Sequence, residues 1–480
     1  MSEYQSLIFD KSYINGEWVA EYAQTFDVTN PADGSKIGSI YNSGTQLLQK
    51  AVDAAHAAFP AWKSKTGKER QAILDKWFEL IVANKKAIAT IMTLESGKPL
   101  TESLGEVDYG ASFIQWFGEE AKRVYGDTIP GYTPDRRIVV IRQPVGVVGA
   151  LTPWNFPLAM ITRKVAPALA VGCTVVIRPS ELTPFTALAL AKLADEAGFP
   201  KGVFNMFVND NAPDSGKLLC ESEKVSKISF TGSTRVGQLL VNQSAGTLKK
   251  LSLELGGNAP FIVFEDADID LAVKGAVAAK FRNAGQTCVC VNRFLVHDSV
   301  YDEFAEKFTK AVQNLKIGNG LGEGVNIGPL IHARAIASCK DFVADAQAKG
   351  GKVLAGGKAL NDYFFEPTVI ADATPEMKFA QNEIFGPIAP LFRFKTDEEA
   401  IAMANDTIFG LASYLYTNNV KRSWRVSEAL EYGMVGINEG LISTEVAPFG
   451  GIKYSGQGRE GSKYGIEDYT EIKYMCIGNV

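Results

Sequence analysis

Histidine and cysteine are scarce in this chain of 480 residues, which has three of the former and six of the latter. Six cysteines are too few for a disulfide framework, so the sequence favours free thiols in a reducing compartment. The histidines, His56, His297 and His332, lack the paired spacing of a zinc site, and we expect no metal. Their scarcity argues against Ser-His-Asp and Cys-His hydrolases. The sequence leaves open the alternative that one of the three histidines folds back to the catalytic site.

An excess of basic residues and a long apolar run are also missing. Lys and Arg total 49 against 54 Asp and Glu, for a formal net charge of −5, so we expect no nucleic-acid partner. No apolar run is long enough to span a bilayer, and the opening MSEYQSLIFD has no basic region before an apolar stretch. The sequence therefore predicts a cytoplasmic protein without membrane association.

Short apolar runs alternate with helical patterns along most of the chain. Apolar residues recur at helical spacing over Thr45–Ala58 and Gly67–Leu94. Strand-like runs follow from Gly146–Leu151 onward, each separated from the next by a helical pattern. This alternation predicts the α/β class, with two α/β domains, parallel sheets covered by helices, and a join at 253–258. The run RIVVI at Arg137–Ile141 predicts an exposed edge strand.

Three residues in separate motifs supply the parts of an acyl-transfer site. Cys288 follows a glycine-containing loop in FRNAGQTCVC, Glu254 lies beside two glycines in LELGG, and Asn155 lies among a tryptophan and two prolines in PWNFP. A thiol, a carboxylate and an amide can act as nucleophile, general base and oxyanion donor. Taken singly, each residue is more often structural: an inert buried thiol or a salt-bridged carboxylate.

Six motifs in order make the sequence similar to the aldehyde dehydrogenase superfamily over nearly its whole length. They are PWNFP (153–157), FTGSTRVG (230–237), LELGG (253–257), FRNAGQTC (281–288), EIFGP (383–387) and PFGG (448–451). The resemblance implies an α/β fold with a Rossmann-type cofactor domain (1–125 and 145–253) and an α/β catalytic domain (254–455). It also implies a small β oligomerisation arm (126–144 and 456–480).

The same resemblance implies the catalytic roles. Cys288 is the expected nucleophile, Glu254 the base, and Asn155 with the Cys288 backbone N–H the oxyanion hole. A thiolate attacking an aldehyde gives a thiohemiacetal, whose hydride passes to a nicotinamide and leaves a thioester for water to hydrolyse. Two rival classes stay open: a cysteine acyl hydrolase or acyl-CoA-forming relative, and an inactive structural homologue.

For the cofactor, the usual GxGxxG after the first parallel strand is absent. Gly232 and Ser233, between a strand and a helix, are predicted to hold a pyrophosphate instead. The other cofactor residues that the resemblance implies are Trp154, Arg178, Glu181, Leu255, Glu383 and Phe385. Arg178 stands where the family usually has lysine. A carboxylate at Glu181 favours NAD by repelling a 2′-phosphate, whereas Arg178 and Arg235 leave NADP open.

Within the superfamily the sequence is most similar to the succinate-semialdehyde dehydrogenase group. That similarity implies that Arg163, Arg282 and Ser443 hold the distal carboxylate of a small semialdehyde. Cationic, fork-shaped donors suit such a carboxylate. Glutarate semialdehyde, one methylene longer, remains a competitor, because a single methylene is discriminated by only about 1–3 kcal/mol. A broader aldehyde range is a further alternative.

Two expectations concern regulation and assembly. Cys290 forms Cys-x-Cys with Cys288, and it is either a small packed residue or the partner in a strained, easily reduced disulfide that blocks the nucleophile. The resemblance also implies that the strand at Arg137–Ile141 and the segment Tyr474–Ile477 form an arm that pairs with a neighbouring subunit. We therefore expect a homodimer or homotetramer.

Overall fold

A computed structural model describes residues 3–480 and contains three larger β-sheets and a hairpin. Residues 1 and 2 of the expected cofactor domain lie outside the described residues. Within 3–480, no helix has the length and apolar composition that crossing a membrane requires. The α-helices are α1 Thr45–Lys63, α2 Gly67–Ala83, α3 Lys85–Ser96, α4 Leu100–Glu120, α5 Ala159–Val171, α6 Pro184–Ala197, α7 Ala212–Glu221, α8 Thr234–Ser244, α9 Ile269–Phe281, α10 Tyr301–Gln313, α11 Ala333–Ala348, α12 Asp397–Asn405 and α13 Val420–Ala429.

The first sheet has eight strands, and its central five run parallel. Helices cover both faces: Val175 and Ile177 pack in one core with α2, α4, α5 and α6, whereas Val176 packs in another with α1 and α7. The strand order is β19-β11-β10-β7-β8-β9-β1-β2. Their bounds are β1 Ser12–Ile14, β2 Glu17–Val19, β7 Val147–Leu151, β8 Thr174–Arg178, β9 Phe204–Met206, β10 Val225–Thr231, β11 Lys250–Glu254 and β19 Gly456–Gln457.

The second sheet has seven strands, of which only β14 is antiparallel to its neighbour. Its central strand residues, such as Phe261 and Phe294, are fully buried in the largest apolar core. The order is β14-β15-β16-β13-β12-β17-β18. The bounds are β12 Ala259–Val263, β13 Val291–His297, β14 Lys352–Ala355, β15 Thr368–Ala371, β16 Ile388–Phe394, β17 Ala412–Tyr416 and β18 Met434–Ile437. The chain passes from the first sheet to the second between 254 and 259.

The third sheet is an antiparallel arm of β5 (Asp127–Pro130), β6 (Arg136–Pro144) and β20 (Thr470–Gly478), with β6 in the middle. The register runs from Thr470 opposite Pro144 to Gly478 opposite Arg136. The predicted edge strand RIVVI is therefore a central strand, and the outer strands are β5 and β20. Residues 456–457, assigned to the arm from the sequence, instead pair with β11 of the first sheet. A separate hairpin joins β3 (Thr25–Thr29) to β4 (Lys36–Tyr41).

The helical pattern over Gly67–Leu94 forms two helices rather than one. A capping box of Thr66 and Glu69 starts α2, and Asn84 separates α2 from α3. The Asn84 side chain donates to the Leu80 carbonyl at 2.8 Å, and the Asn84 backbone N–H donates to the same carbonyl at 3.1 Å, so Asn84 closes the end of α2. The break turns α3 against α4.

Candidate active site

A cavity of about 380 Å³ lies between the first and second sheets. Eight of the predicted site residues line it: Trp154, Asn155, Gly232, Ser233, Leu255, Cys288, Glu383 and Phe385. They come from the loops after β7, β10 and β11, from the segment before β13 and from the segment before β16. The ends of parallel strands in an α/β protein are where ligands bind. The other seven predicted residues lie outside this lining: Glu254, Cys290, Arg178, Glu181, Arg163, Arg282 and Ser443.

The loop that carries Cys288 has an uncommon backbone. Asn283, Ala284 and Gly285 have φ values of +50°, +53° and +77°, so three residues in a row are left-handed. A Cβ at Gly285 would lie 2.3 Å from the Gly386 carbonyl oxygen, which requires glycine there. Such geometry persists only where surrounding contacts determine it, and it is concentrated at functional sites.

Buried hydrogen bonds hold that loop in place. The Asn283 backbone N–H donates to Glu102 Oε2 at 2.8 Å, and its side chain donates to the Asn155 carbonyl at 3.1 Å. Gln286 Oε1 accepts from the Ile331 backbone N–H at 3.0 Å. These bonds tie the loop to α4, to the PWNFP motif and to the segment before α11.

Cys288 is partly buried, and burial raises the pKa of its thiol to about 12. The positive charge of Arg163 opposes that shift, whereas the carboxyl groups of Glu254 and Glu383 add to it. At neutral pH the thiol is therefore protonated. Because the thiolate is the nucleophile, a base must take this proton during reaction.

Glu254 at the end of β11 is almost fully buried. Burial, together with the nearby Glu460 carboxyl, raises the pKa of Glu254 well above its ordinary value. Within residues 3–480, its Oε2 has no hydrogen-bond partner. A buried, unpaired carboxyl of this kind is suited to general base catalysis near neutral pH.

Beneath Glu254 lies a buried charge cluster formed by Glu460, Arg163 and Lys164. Glu460 accepts from Arg163 Nε at 2.6 Å and from Lys164 Nζ at 2.5 Å. The Arg163 guanidinium also lies 3.9 Å from the Phe449 ring centroid. Arg163, which the sequence predicts to hold a substrate carboxylate, thus already has a carboxylate partner in the protein.

Asn155 is anchored through its backbone. Its carbonyl accepts from Lys98 Nζ at 2.6 Å, and its side-chain Nδ2 donates to the Gln286 carbonyl at 3.0 Å. Lys98 is buried and ion-paired to Glu106, whose other oxygen accepts the Leu158 backbone N–H at 3.0 Å. Lys98, in the loop between α3 and α4, and Glu106, on α4, were not found from the sequence, because an isolated lysine or glutamate resembles a surface charge.

On the opposite wall, the residues fit a dinucleotide. Ser233 caps the N-terminus of α8, and a Cβ at Gly232 would lie 2.4 Å from the Phe230 ring. Thr231 Oγ1 is buried and has no partner in the described part of the chain. Glu383 accepts from the Gly257 backbone N–H at 3.0 Å, and burial raises its pKa to about 7. Free amides at a helix N-terminus suit a pyrophosphate.

Arg178 and Glu181 pair with each other. Arg178 Nη2 lies 2.9 Å from Glu181 Oε2 and donates to the Asn209 carbonyl at 3.0 Å. Arg178 is buried, whereas the Glu181 side chain is 36% exposed. The guanidinium is therefore occupied, and the carboxylate is the group that faces solvent.

The remaining predicted residues lie on the far side of the Cys288 loop. Arg282 and Ser443 line one small void of about 10 Å³, and the Arg282 guanidinium lies 5.3 Å from the Phe156 ring centroid. Cys290 is buried as a free thiol, and its Sγ donates to the Lys280 carbonyl at 3.3 Å. Its redox role stays a prediction.

His332, for which we predicted a structural or surface role, and Arg334 also line the cavity. His332 Nδ1 accepts from the Ala335 backbone N–H at 3.2 Å and caps α11. The ring thus has a structural task at the cavity wall. Residues 3–480 contain no group of three or more His, Cys, Asp or Glu arranged to hold a metal ion.

Comparisons with known proteins agree on one family. A sequence model described as "Aldehyde dehydrogenase family" matches residues 18–475. The chain is 58% identical over 472 residues to glutarate-semialdehyde dehydrogenase of Pseudomonas putida, covering 98% of both. It is also 58% identical over 476 residues to succinate-semialdehyde dehydrogenase (NADP+) GabD of Escherichia coli, again covering 98% of both. A crystal structure of aldehyde dehydrogenase from Brucella melitensis biovar abortus superposes with a TM-score of 0.98 at 58% identity, covering 99% of this chain and 98% of that one.

Proposed function

The chain belongs to the aldehyde dehydrogenase family, and from that premise we propose that it oxidises succinate semialdehyde to succinate with a nicotinamide dinucleotide, through an adduct on Cys288. The observation that carries the proposal is the shared cavity. Cys288 and Asn155 line it together with Ser233 and Glu383. A nucleophile and an oxyanion donor thus lie in the same cavity as the residues suited to a dinucleotide.

Cys288 begins the reaction. Its Sγ bonds to the aldehyde carbon, while the thiol proton leaves to a base, because burial holds the pKa of the free thiol at about 12. We assign this role to Glu254, a buried carboxyl with a raised pKa whose Oε2 has no hydrogen-bond partner within residues 3–480. Once ionised, Glu254 can accept the proton.

The adduct carries negative charge on the former aldehyde oxygen. Asn155 Nδ2 donates one of its two N–H groups to the Gln286 carbonyl, and the second can donate to the oxyanion. Removing one such donor typically slows a reaction by about 100-fold or more. The bound nicotinamide supplies a hydride acceptor at this stage.

Glu254 then acts a second time. Loss of hydride from the adduct would leave a thioester on Cys288. After Glu254 has released the thiol proton to solvent, water attacks the thioester carbon, Glu254 takes one of the water protons, and the carbon–sulfur bond breaks to give the carboxylic acid and the Cys288 thiolate. Burial without a hydrogen-bond partner on Oε2 keeps this carboxyl basic enough for the task.

The residues that would hold the dinucleotide are Ser233 and Gly232 at its pyrophosphate, Glu383 and Phe385 near its nicotinamide end, and Glu181 at its adenosine ribose. NAD is the favoured form. A partly exposed carboxylate at Glu181 repels a 2′-phosphate, and the neighbouring Arg178 guanidinium is bound to Glu181 and Asn209. The Escherichia coli relative is named for NADP+, so NADP is the form against which this preference is tested.

Arg282 and Ser443 are the proposed contacts for the distal carboxylate. They line the same void close to the Cys288 loop, and Arg282 makes no ion pair within residues 3–480. Arg163 is paired with Glu460, so its proposed contribution is a positive field and not a free guanidinium.

Glutarate semialdehyde is the second candidate substrate. The Pseudomonas putida relative bears that name and is as similar in identity as the Escherichia coli one. Both substrates present an aldehyde and a carboxylate, and they differ by one methylene.

We assign the first sheet and its helices to cofactor binding, the second sheet to catalysis and the three-stranded arm to assembly. The outer strand β20 is exposed over nearly its whole length. An exposed strand edge is a template for pairing with another chain, and it is the proposed contact of a homodimer or homotetramer.

Absorbance of reduced cofactor tests the proposal directly. The chain should reduce NAD with succinate semialdehyde, and Cys288→Ser should lose that activity by about 1,000-fold or more while keeping its fold. Comparing kcat/KM for succinate semialdehyde, glutarate semialdehyde and an uncharged aldehyde ranks the three substrates. No reduction of either cofactor with any of the three would overturn the proposal in favour of a hydrolase or an inactive homologue.

A further inference from the structure

A second cavity, of about 450 Å³, lies at the ends of α1 and α4 and the start of α2, where β6 leaves the arm. It shares no lining residue with the cavity at Cys288. Six of its eleven lining residues are cationic, and none is acidic. We call it the basic cleft. The six are Lys63, Lys65, Lys68, Arg70, Lys122 and Arg142.

Carboxylates of the chain neutralise few of these charges. Lys65 lies 3.9 Å from Glu69, and Arg142 lies 4.0 Å from Glu467, both at the outer limit of an ion pair. Among the residues that the structure describes, Lys63, Lys68 and Lys122 form no ion pair. In a chain with a formal net charge of −5, this is a local concentration of unpaired positive charge.

Arg70 makes the cleft more than a set of surface lysines. It is only 7% exposed, yet it has no carboxylate partner in the described chain. Its Nε donates to the Ala170 carbonyl at 2.7 Å and its Nη1 donates to the Lys65 carbonyl. Its Nη2 donates to no group of residues 3–480. A fixed guanidinium in the wall, with Nη2 unused, is a donor that can recognise phosphate or carboxylate oxygens.

We propose that the basic cleft binds a small molecule that carries two linked phosphate groups. Its volume lies within the range of small-molecule sites, about 300–1,000 Å³. One phosphate carries about two negative charges and leaves most of the six cations unpaired, whereas two linked phosphates carry more charge and have more oxygens to accept hydrogen bonds from them. The ligand would bridge α2 and β6, and so connect the first sheet's helices to the arm.

Calorimetric titration of the full chain with sodium pyrophosphate tests the site. We expect one ligand per chain, and binding at least about 10-fold weaker in Lys68→Gln/Lys122→Gln, which removes two unpaired charges. The matched control is Lys274→Gln/Lys421→Gln, two exposed lysines elsewhere with the same change in charge. Titrations are made with saturating NAD present, since Ser233 is proposed to bind a pyrophosphate of its own.

Each alternative result has a meaning. The site is overturned if the control variant Lys274→Gln/Lys421→Gln weakens pyrophosphate binding as much as the cleft variant does. It is also overturned if the cleft variant Lys68→Gln/Lys122→Gln binds pyrophosphate as tightly as the wild type. Binding of citrate as tight as that of pyrophosphate overturns the diphosphate assignment. In another outcome, the wild-type chain binds no pyrophosphate while light scattering gives a smaller assembly for Lys68→Gln/Lys122→Gln than for the wild type. That result would show that a second copy of the chain covers the cleft, and it would overturn the proposal of a bound diphosphate.

Discussion

Lys98 donates a hydrogen bond of 2.6 Å to the backbone carbonyl of Asn155, the residue proposed to stabilise the oxyanion. Lys98 is itself fixed by its buried ion pair with Glu106 and by the Phe156 ring, whose centroid lies 4.1 Å from its Nζ. This lysine is therefore a positioning residue: it holds the donor without touching the reacting atoms.

Lys98→Met should lower kcat by about 10-fold or more, because a small misplacement of a catalytic group is costly. KM should change little, since Lys98 lies outside the lining of the cavity at Cys288. Steady-state kinetics separate the two constants.

Breaking a buried ion pair also destabilises a protein, by about 3–5 kcal/mol. Thermal unfolding of Lys98→Met is therefore measured alongside, and Lys98→Arg, which keeps the charge, should recover part of kcat. An unchanged kcat in a folded Lys98→Met protein contradicts the positioning role.

Glu181→Ser should raise the preference for NADP, as kcat/KM relative to NAD, by about 10-fold or more, because removing the carboxylate removes its repulsion of a 2′-phosphate. It also frees Arg178 from its 2.9 Å ion pair. The check is a pair of kinetic series with each cofactor at fixed aldehyde. The matched control is Glu196→Ser, which removes an exposed carboxylate on α6. If the ratio of kcat/KM with NADP to kcat/KM with NAD is unchanged in Glu181→Ser, another residue selects the cofactor.

Arg282→Ala should raise KM for succinate semialdehyde by about 10- to 100-fold, which corresponds to a lost charge-assisted hydrogen bond of about 1.5–3 kcal/mol. For an uncharged aldehyde such as propanal the same change should leave KM nearly constant. Both values come from the same absorbance assay, with Arg282→Lys as the conservative variant. Equal losses on the two substrates would mean that Arg282 supports the Cys288 loop rather than the carboxylate.

The pH dependence should follow Glu254. Because burial and Glu460 raise its pKa, kcat/KM should fall as the pH drops through a value above the ordinary carboxyl range. Glu460→Gln removes a neighbouring negative charge and leaves Arg163 and Lys164 to stabilise the Glu254 carboxylate, so this limb should move to lower pH. Profiles of kcat/KM against pH measure the shift, with the exposed Glu467→Gln as control. An acidic limb that stays at the same pH or moves to higher pH in Glu460→Gln contradicts the claim that Glu460 raises the pKa of Glu254.

Local pattern was sufficient for much of the fold and of the site. The alternation of strands and helices gave the α/β class, which the structural comparison confirms. The passage between the sheets falls between β11 and β12, within the glycine-containing segment 253–258. Motif spacing placed Cys288, Asn155 and Ser233 in separate loops, and these loops meet at one cavity.

Contacts between distant parts of the chain explain what the sequence did not reveal. The strand RIVVI is central because β20, more than three hundred residues later, pairs with it, and no local signal specifies that partner. Lys98 and Glu106 have the appearance of solvent-facing charges until tertiary packing buries them. The helical pattern of Gly67–Leu94 stays continuous across Asn84, although the packing of α3 against α4 requires a break there.

The left-handed turn at 283–285 limits how this enzyme can be engineered. Its shape depends on Glu102, on the Asn155 carbonyl and on the Ile331 backbone N–H whose hydrogen bond Gln286 accepts, which lie in three other parts of the chain. Transplanting FRNAGQTC alone into another scaffold would therefore deliver a cysteine without the surroundings that orient it. A working graft has to carry those distant supports as well.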